Sequence, residues 1–175
     1  MMPDHGSVYL FQRVIWLLPP VFAIHVLEEA TGFTVWVNRY ASRNFSRRNF
    51  VQNNLSGLVA GCFLCFLVFM YPVRAVVFLF FLGAVSQMFF NTVFHVWTAL
   101  AFKAHAPGLY SSILLYPALC AYLVILALRE GLLGALGLPL AFLAGGILHA
   151  YVIHRQVFLA RASCRRVLPH FSLSE

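Results

Sequence analysis

The segment His25-Val26-Leu27-Glu28-Glu29 sets an imidazole three and four residues ahead of two carboxylates. On a helix all three side chains leave one broad face. The chain has only five acidic residues, and these two stand side by side inside an apolar stretch. Two further histidines lie in apolar stretches: His95, with Asn91 one turn earlier on the same face, and His149, with His154 five residues later. Neutral imidazole and carboxylate are ligands for zinc, iron and similar divalent ions. The set therefore suggests a divalent-metal site held by His25, Glu29, His95 and His149, with zinc the first expectation and iron the second. Glu28 is then the proton acceptor for a metal-activated water, and Asn91 orients a ligand or donates to a developing oxyanion. Which glutamate ligates and which handles protons stays open at this point. If both ligate, a two-metal site follows, though in the reverse order to the Glu-x-x-His pattern of di-iron bundles. The same residues without metal would make an acid/base or proton relay, or plain hydrogen-bonding between helices.

The elements that must position these residues are membrane helices. Of the 175 residues 62% are hydrophobic and 10% charged, and mean hydropathy is +0.84. Soluble domains carry about 25% charged residues. Disorder is excluded by the hydrophobicity, and the net charge of +7 lies in short patches between apolar runs rather than on a nucleic-acid-binding surface. A membrane helix needs about 17–25 apolar residues. Five segments qualify: Val8–Ala30, Leu55–Tyr71, Val73–Phe102, Tyr110–Leu128 and Leu132–Ile153. The expected fold is all-α, one integral membrane bundle of five transmembrane helices in a single domain, residues 1–175. The third segment exceeds the required length and is expected to tilt or to reach beyond the hydrocarbon core.

Alternating loops divide the basic residues nine against three. Arg39, Arg43, Arg47, Arg48, Lys103, Arg155, Arg161, Arg165 and Arg166 fall on one side, and Arg13, Arg74 and Arg129 on the other. The positive-inside rule then puts the N-terminus outside and the C-terminus in the cytoplasm. With that topology, His25, His95 and His149 lie on three helices running the same way, about 6–11 Å below the inner boundary at 1.5 Å per residue. Three imidazoles reach one layer, with the carboxylate pair beside it. The stretch Asn38–Asn54 is expected to lie along the membrane surface, with Arg39, Arg43 and Arg47 at helical spacing towards anionic headgroups.

The ordered set resembles the HXXEE family of small multi-span bacterial membrane proteins. The likeness rests on His25-Val26-Leu27-Glu28-Glu29, on Asn91-x-x-x-His95, on Pro107-Gly108 a dozen residues later, and on a late histidine, His149. It implies a bacterial inner-membrane setting and candidate residues; it implies no reaction, because no activity is established for the family.

Other features carry plainer readings. Cys62-x-x-Cys65 lies in an apolar span with no nearby base to stabilise a thiolate, and Cys120 and Cys164 have no pairing spacing, so all are expected to be unreactive thiols. Gly57-x-x-x-Gly61 and Gly145-Gly146 mark close helix approach, and Ser86 and Gln87 are expected to hydrogen-bond between helices. Pro19-Pro20 either kinks the first helix, freeing carbonyls above His25, or starts a shorter one. The same prolines, with Glu28-Glu29 where cleavage would fall, argue against a signal peptide. Tyr110, Ser111 and Ser112 are read as the interfacial start of the fourth span. His105 is read as a solvated loop residue and His154 as an interfacial one, with His5 and His170 terminal. Phosphate-cradling glycine loops and serine nucleophile elbows do not occur.

The expected function is that of a membrane metalloenzyme, a hydrolase first, acting on a hydrophobic or lipid-like small molecule. Its partners are membrane lipids and that substrate, with no nucleic acid; homo-oligomerisation is left open. Oxidation at iron, a metal-free isomerase or cyclase, a proton-coupled transporter and a structural subunit remain the alternatives. Reporter fusions test the orientation. A phosphatase fused after the C-terminus should be inactive and a fluorescent protein there should fluoresce; the opposite pair of results inverts the topology.

Overall fold

In a computed structural model of the chain, the backbone is described for residues 5–41 and 44–165 and the side chains for residues 10–41 and 44–155. The described residues are helical with no strand: α1 His5–Val14, α2 Leu18–Ala30, α3 Phe33–Tyr40, α4 Arg47–Met70, α5 Arg74–Phe80, α6 Ser86–Phe102, α7 Leu109–Leu114, α8 Tyr116–Arg129 and α9 Gly137–Arg165. Five stretches are long and apolar enough to cross a membrane: Leu10–Ala30, Arg47–Met70, Arg74–Phe102, Leu109–Arg129 and Gly137–Arg155. The chain is an all-helical integral membrane protein, as its composition required.

The boundaries move where local chemistry extends or breaks a helix. The second span begins at Arg47, not Leu55, because Ser46 caps it by accepting from the Asn49 amide (3.1 Å) and Phe50 is buried in its first turn. Asn38–Asn54 is therefore not one surface segment. Asn38 and Arg39 end α3, Arg47 opens α4, and the expected face of three arginines is split between two helices, with Arg43 outside the described residues. A reciprocal pair closes the intervening loop: Asn38 Nδ2 donates to the Phe45 carbonyl (2.8 Å), and the Phe45 amide donates to Asn38 Oδ1 (2.9 Å). The fifth span begins at Gly137 rather than Leu132, since Gly131 (φ 65°) turns the chain and Leu132 and Leu133 are buried in the connection. The side chains of His5 and Cys164, and all of His170, lie outside the described residues.

Pro19 cannot donate to the carbonyl of Ile15 four residues earlier. The chain answers with a 3-10 turn over Ile15–Leu17, in which the Leu18 amide donates to that carbonyl, and Cys65 Sγ of α4 donates to it as well (3.3 Å). The freed carbonyl is thus used to bind two helices, and Cys65 is a buried structural thiol. Antiparallel α2 and α4 close on the glycines of α4: a Cβ on Gly57 would stand 3.3 Å from Phe22, and one on Gly61 3.3 Å from Leu18.

The third span is not a uniform helix. A π turn over Phe81–Val85 separates α5 from α6. It leaves the Leu82 carbonyl to accept from Ser86 Oγ (2.6 Å) and Gln87 Nε2 (3.3 Å). Beyond it Gln87, Asn91 and His95 follow at four-residue intervals along α6. The main core joins Phe11, Ile15, Phe80, Phe81, Tyr116 and Leu123 among others, and a smaller aromatic cluster of Trp36, Val37, Phe45, Phe50 and Ala106 covers the end of the bundle near the motif.

Gly145 shows what α9 requires. A Cβ there would overlap Ser86 and come within 2.8 Å of the Leu82 carbonyl. Gly145→Val should therefore destabilise the bundle by about 1–3 kcal/mol, the usual cost of overpacking. Denaturation of the detergent-solubilised variant reads this directly; a wild-type midpoint would contradict the α6–α9 contact.

Candidate metal centre

His25 and Glu29 leave the last turns of α2, and His95 leaves α6. One ligand atom from each lies within 4.8 Å of the others. His25 Nε2 is 3.4 Å and His95 Nε2 3.2 Å from the same oxygen, Glu29 Oε1. All three side chains are buried, His95 completely and His25 and Glu29 nearly so. The two imidazoles meet edge to face with centroids 5.0 Å apart. Sequence spacing alone did not show that the first and third spans are neighbours here.

The hydrogen bonds around His25 fix its tautomer. Ser111 Oγ donates to the Gly108 carbonyl (3.3 Å) and is left to accept from His25 Nδ1 (2.9 Å). The proton is thus on Nδ1 and the lone pair on Nε2, where Asn91 Nδ2 approaches at 2.8 Å. His95 is different. Neither of its ring nitrogens has a hydrogen-bond partner, and its 3.2 Å contact to Glu29 is out of hydrogen-bond geometry. Buried polar atoms left in this way are costly unless something else satisfies them.

The ligand atoms fit an ion. Donors about 2.0–2.1 Å from zinc in a tetrahedron stand about 3.3–3.4 Å from one another. The 3.4 and 3.2 Å edges match that spacing. With His25 Nδ1 held by Ser111, Nε2 is the nitrogen that could ligate, the usual arrangement for a ligating histidine.

A short helix, α7, assembles the site. It packs against both α2 and α6. Glu28 holds it: Glu28 Oε1 accepts from the Tyr110 amide (3.1 Å) and Oε2 from the Ser111 amide (2.8 Å). Those are first-turn amides with no partner within their own helix. Thr92 Oγ1 ties the other side by donating to the Ser112 carbonyl (2.8 Å). Glu28 was expected to accept a proton from metal-bound water; in the structure both its oxygens are engaged by α7. Gly108 opens this helix at φ 92°, and its backbone lies over the cluster, so that a Cβ would stand 2.7 Å from His25 Cε1 and Glu29 Cγ and 2.9 Å from His95 Cε1. Glycine is needed there both for its φ and for lack of space.

His149 lies outside the three-residue group. Its partner is Gln87, whose Nε2 donates to the Gly145 carbonyl (2.9 Å) and towards that of Leu82. These two carbonyls orient the amide so that Oε1 faces His149 Nδ1 at 3.2 Å. Nδ1 therefore carries the proton, and Nε2 is a buried lone pair with no partner. His149, His25 and Glu29 line one cavity of about 480 Å³. Tyr116 lines it too, with its ring 4.8 Å from that of His25 and its buried hydroxyl unpartnered. His105 is exposed and stacks beside Tyr110, and His154 is exposed. Gly108, Ser111 and Tyr116 were not anticipated as site residues. The Pro107-Gly108 pair was a visible signal, as part of the family likeness, but gave no contact with the cluster; Tyr116 offered none among so many aromatic residues.

The fold and site define a membrane-spanning helical bundle with a buried His/Glu cluster towards one face of the bilayer. The chain belongs to the HXXEE family: residues 16–123 match the family described as "Protein of unknown function with HXXEE motif". The match takes in His25, Glu28, Glu29, Asn91, His95 and Gly108 and stops before α9, so His149 lies beyond the matched residues. No curated protein and no solved structure matches the chain.

Two substitutions test the assembly. Gly108→Ala should place a methyl against His25 and Glu29 and add a left-handed strain of about 1–2 kcal/mol. Glu28→Ala should free α7 and cost about 1.5–3 kcal/mol for its charged hydrogen bonds. Denaturation, with imidazole 15N shifts for His25 and His95, reads both; unchanged stability and shifts would contradict this geometry.

Proposed function

We propose that the protein is a membrane metalloenzyme, a hydrolase of hydrophobic or lipid-like molecules, with a divalent ion held by His25, Glu29 and His95. The observation that carries the reading is a buried carboxylate oxygen set at ligand-to-ligand distance from two imidazole nitrogens, with His95 lacking any hydrogen-bond partner. Three protein ligands and one open position are the usual form of catalytic zinc sites, and His2Glu is one of their common sets. Zinc is the first choice and iron the second. When bound, the ion supplies Lewis acidity and makes a coordinated water acidic near neutral pH.

The remaining groups divide the work. Binding requires Asn91 to release His25 Nε2, and its amide then stands beside the open position as a donor to the substrate carbonyl. His149, whose ring lines the shared cavity and whose Nε2 has no hydrogen-bond partner, is the base we assign to the water, in place of its expected part as fourth ligand. The proton it takes is then the one returned to the leaving group. Glu28 stays in position as the anchor of α7. The setting is a bacterial inner membrane, with the site in the cytoplasmic half.

Elemental analysis and turnover of a p-nitrophenyl fatty-acyl ester test this in purified protein after metal supplementation. Wild type should hold one ion per chain, and His95→Ala and Glu29→Gln should hold none. His149→Ala should keep its ion and lose about 10²–10⁴ in turnover, the span of general-base contributions. Metal-free wild type, or a His149→Ala variant with full activity, would overturn the corresponding assignment.

A further inference from the structure

The cavity beside the cluster has two ends of different chemistry. The α2–α4 contacts Phe22–Gly57 and Leu18–Gly61 set the antiparallel register and bring Asn53 and Asn54 level with His25. The carboxamides of Asn53, Asn54 and Asn91 thus line the same layer of the cavity as His25, with that of Gln87 one turn deeper. Leu18, seven residues before His25 and so about 10 Å deeper, lines the other end with Gly61, Gly83 and Ala84. Here the wall carries no polar side chain.

The cavity is also open at its flank. It is walled by α4 and α9, which each pack on the third span but not closely on each other. Gly57 and Ala60 of α4 and Leu148 of α9 line the cavity and are at the same time exposed. All three lie within membrane-spanning segments, so this opening meets lipid rather than water.

We infer that the site takes a single-chain acyl amphiphile that reaches it sideways from the bilayer, between α4 and α9. The polar end sits in the layer of carboxamides beside His25 and Glu29, and the chain lies along Leu18, Gly61 and Ala84. Size selects one chain over two. At about 30 Å³ per small heavy-atom group, the volume a water takes in the liquid, the 480 Å³ cavity holds about sixteen such groups. That suits one acyl chain with its head, the end of the chain reaching into the opening, and falls far short of the two chains and headgroup of a diacyl lipid. The inference rests on the proposed site for its chemistry, but occupancy of the cavity does not require the ion.

Photolabelling in nanodiscs tests it with two probes, a diazirine-bearing palmitic acid and a diacyl phosphatidylcholine carrying the same diazirine in one chain. The fatty-acid probe should label cavity-lining residues of α4 and α9 saturably, with competition by palmitic acid, in untreated and in chelator-treated protein alike. Ala60→Trp and Leu148→Trp each narrow the opening from opposite sides without touching the cluster. Each should weaken that labelling about tenfold or more, circular dichroism confirming that the helices remain. The diacyl probe should label only lipid-facing positions such as Leu79 and Leu100, without saturation. No saturable labelling of the cavity, labelling unchanged in both tryptophan variants, or equal competition by the diacyl lipid would overturn the inference. Saturable labelling of a wild type that takes up no metal after supplementation would overturn the metal reading alone.

Discussion

A carboxylate buried in an apolar bundle constrains the rest of this structure. An acidic residue near the middle of a membrane helix costs about 2.5–3.5 kcal/mol on insertion scales. Glu29 is 6% exposed and faces two imidazoles rather than a permanent cation. Burial of an uncompensated charge is strongly disfavoured. An ion shared with His25 and His95, as proposed, would offset the carboxylate's charge and fill the unmet coordination of His95 in a single step. The apolar surroundings then serve the chemistry, because interactions with charge strengthen where water is excluded.

The surrounding architecture follows from bringing His25 and Glu29 of α2 to His95 of α6. Their helices are bridged by α7, clamped by Glu28 on one side and by Thr92 on the other. Such a bridge has no room for a side chain where it passes over the cluster, hence Gly108. On the opposite wall Gln87 plays a comparable part for His149: two backbone carbonyls turn its amide, and the amide turns the imidazole. Adjacent glutamates of one motif thus do different work. Glu29 faces the cluster, and Glu28, one residue back and rotated by about 100° on the helix, reaches the neighbouring helix end.

The membrane class, the five spans and the common depth of His25 and His95 were legible in the sequence; that their helices are neighbours was not. Long apolar runs leave little freedom in a bilayer, and polar residues inside them must find one another. Less was legible wherever a short polar segment folds against the bundle. Arg47–Asn54 is polar enough to resemble a surface stretch, yet a serine cap and a buried Phe50 make it the start of α4. The division of labour between Glu28 and Glu29 depends on which side α7 docks, and the separation of His149 from the cluster depends on Gln87. Neither is encoded in spacing. Tyr116 entered the site only through the packing of α8 against α6.

The ligand set itself is open to direct measurement by X-ray absorption at the zinc K-edge of protein reconstituted with one equivalent of zinc. Two imidazole nitrogens and one carboxylate oxygen at about 2.0–2.2 Å, with that shell absent from His95→Ala treated in the same way, are the predicted result. A first shell of three imidazoles, a shell unaltered by loss of His95, or zinc bound only through water would contradict the account.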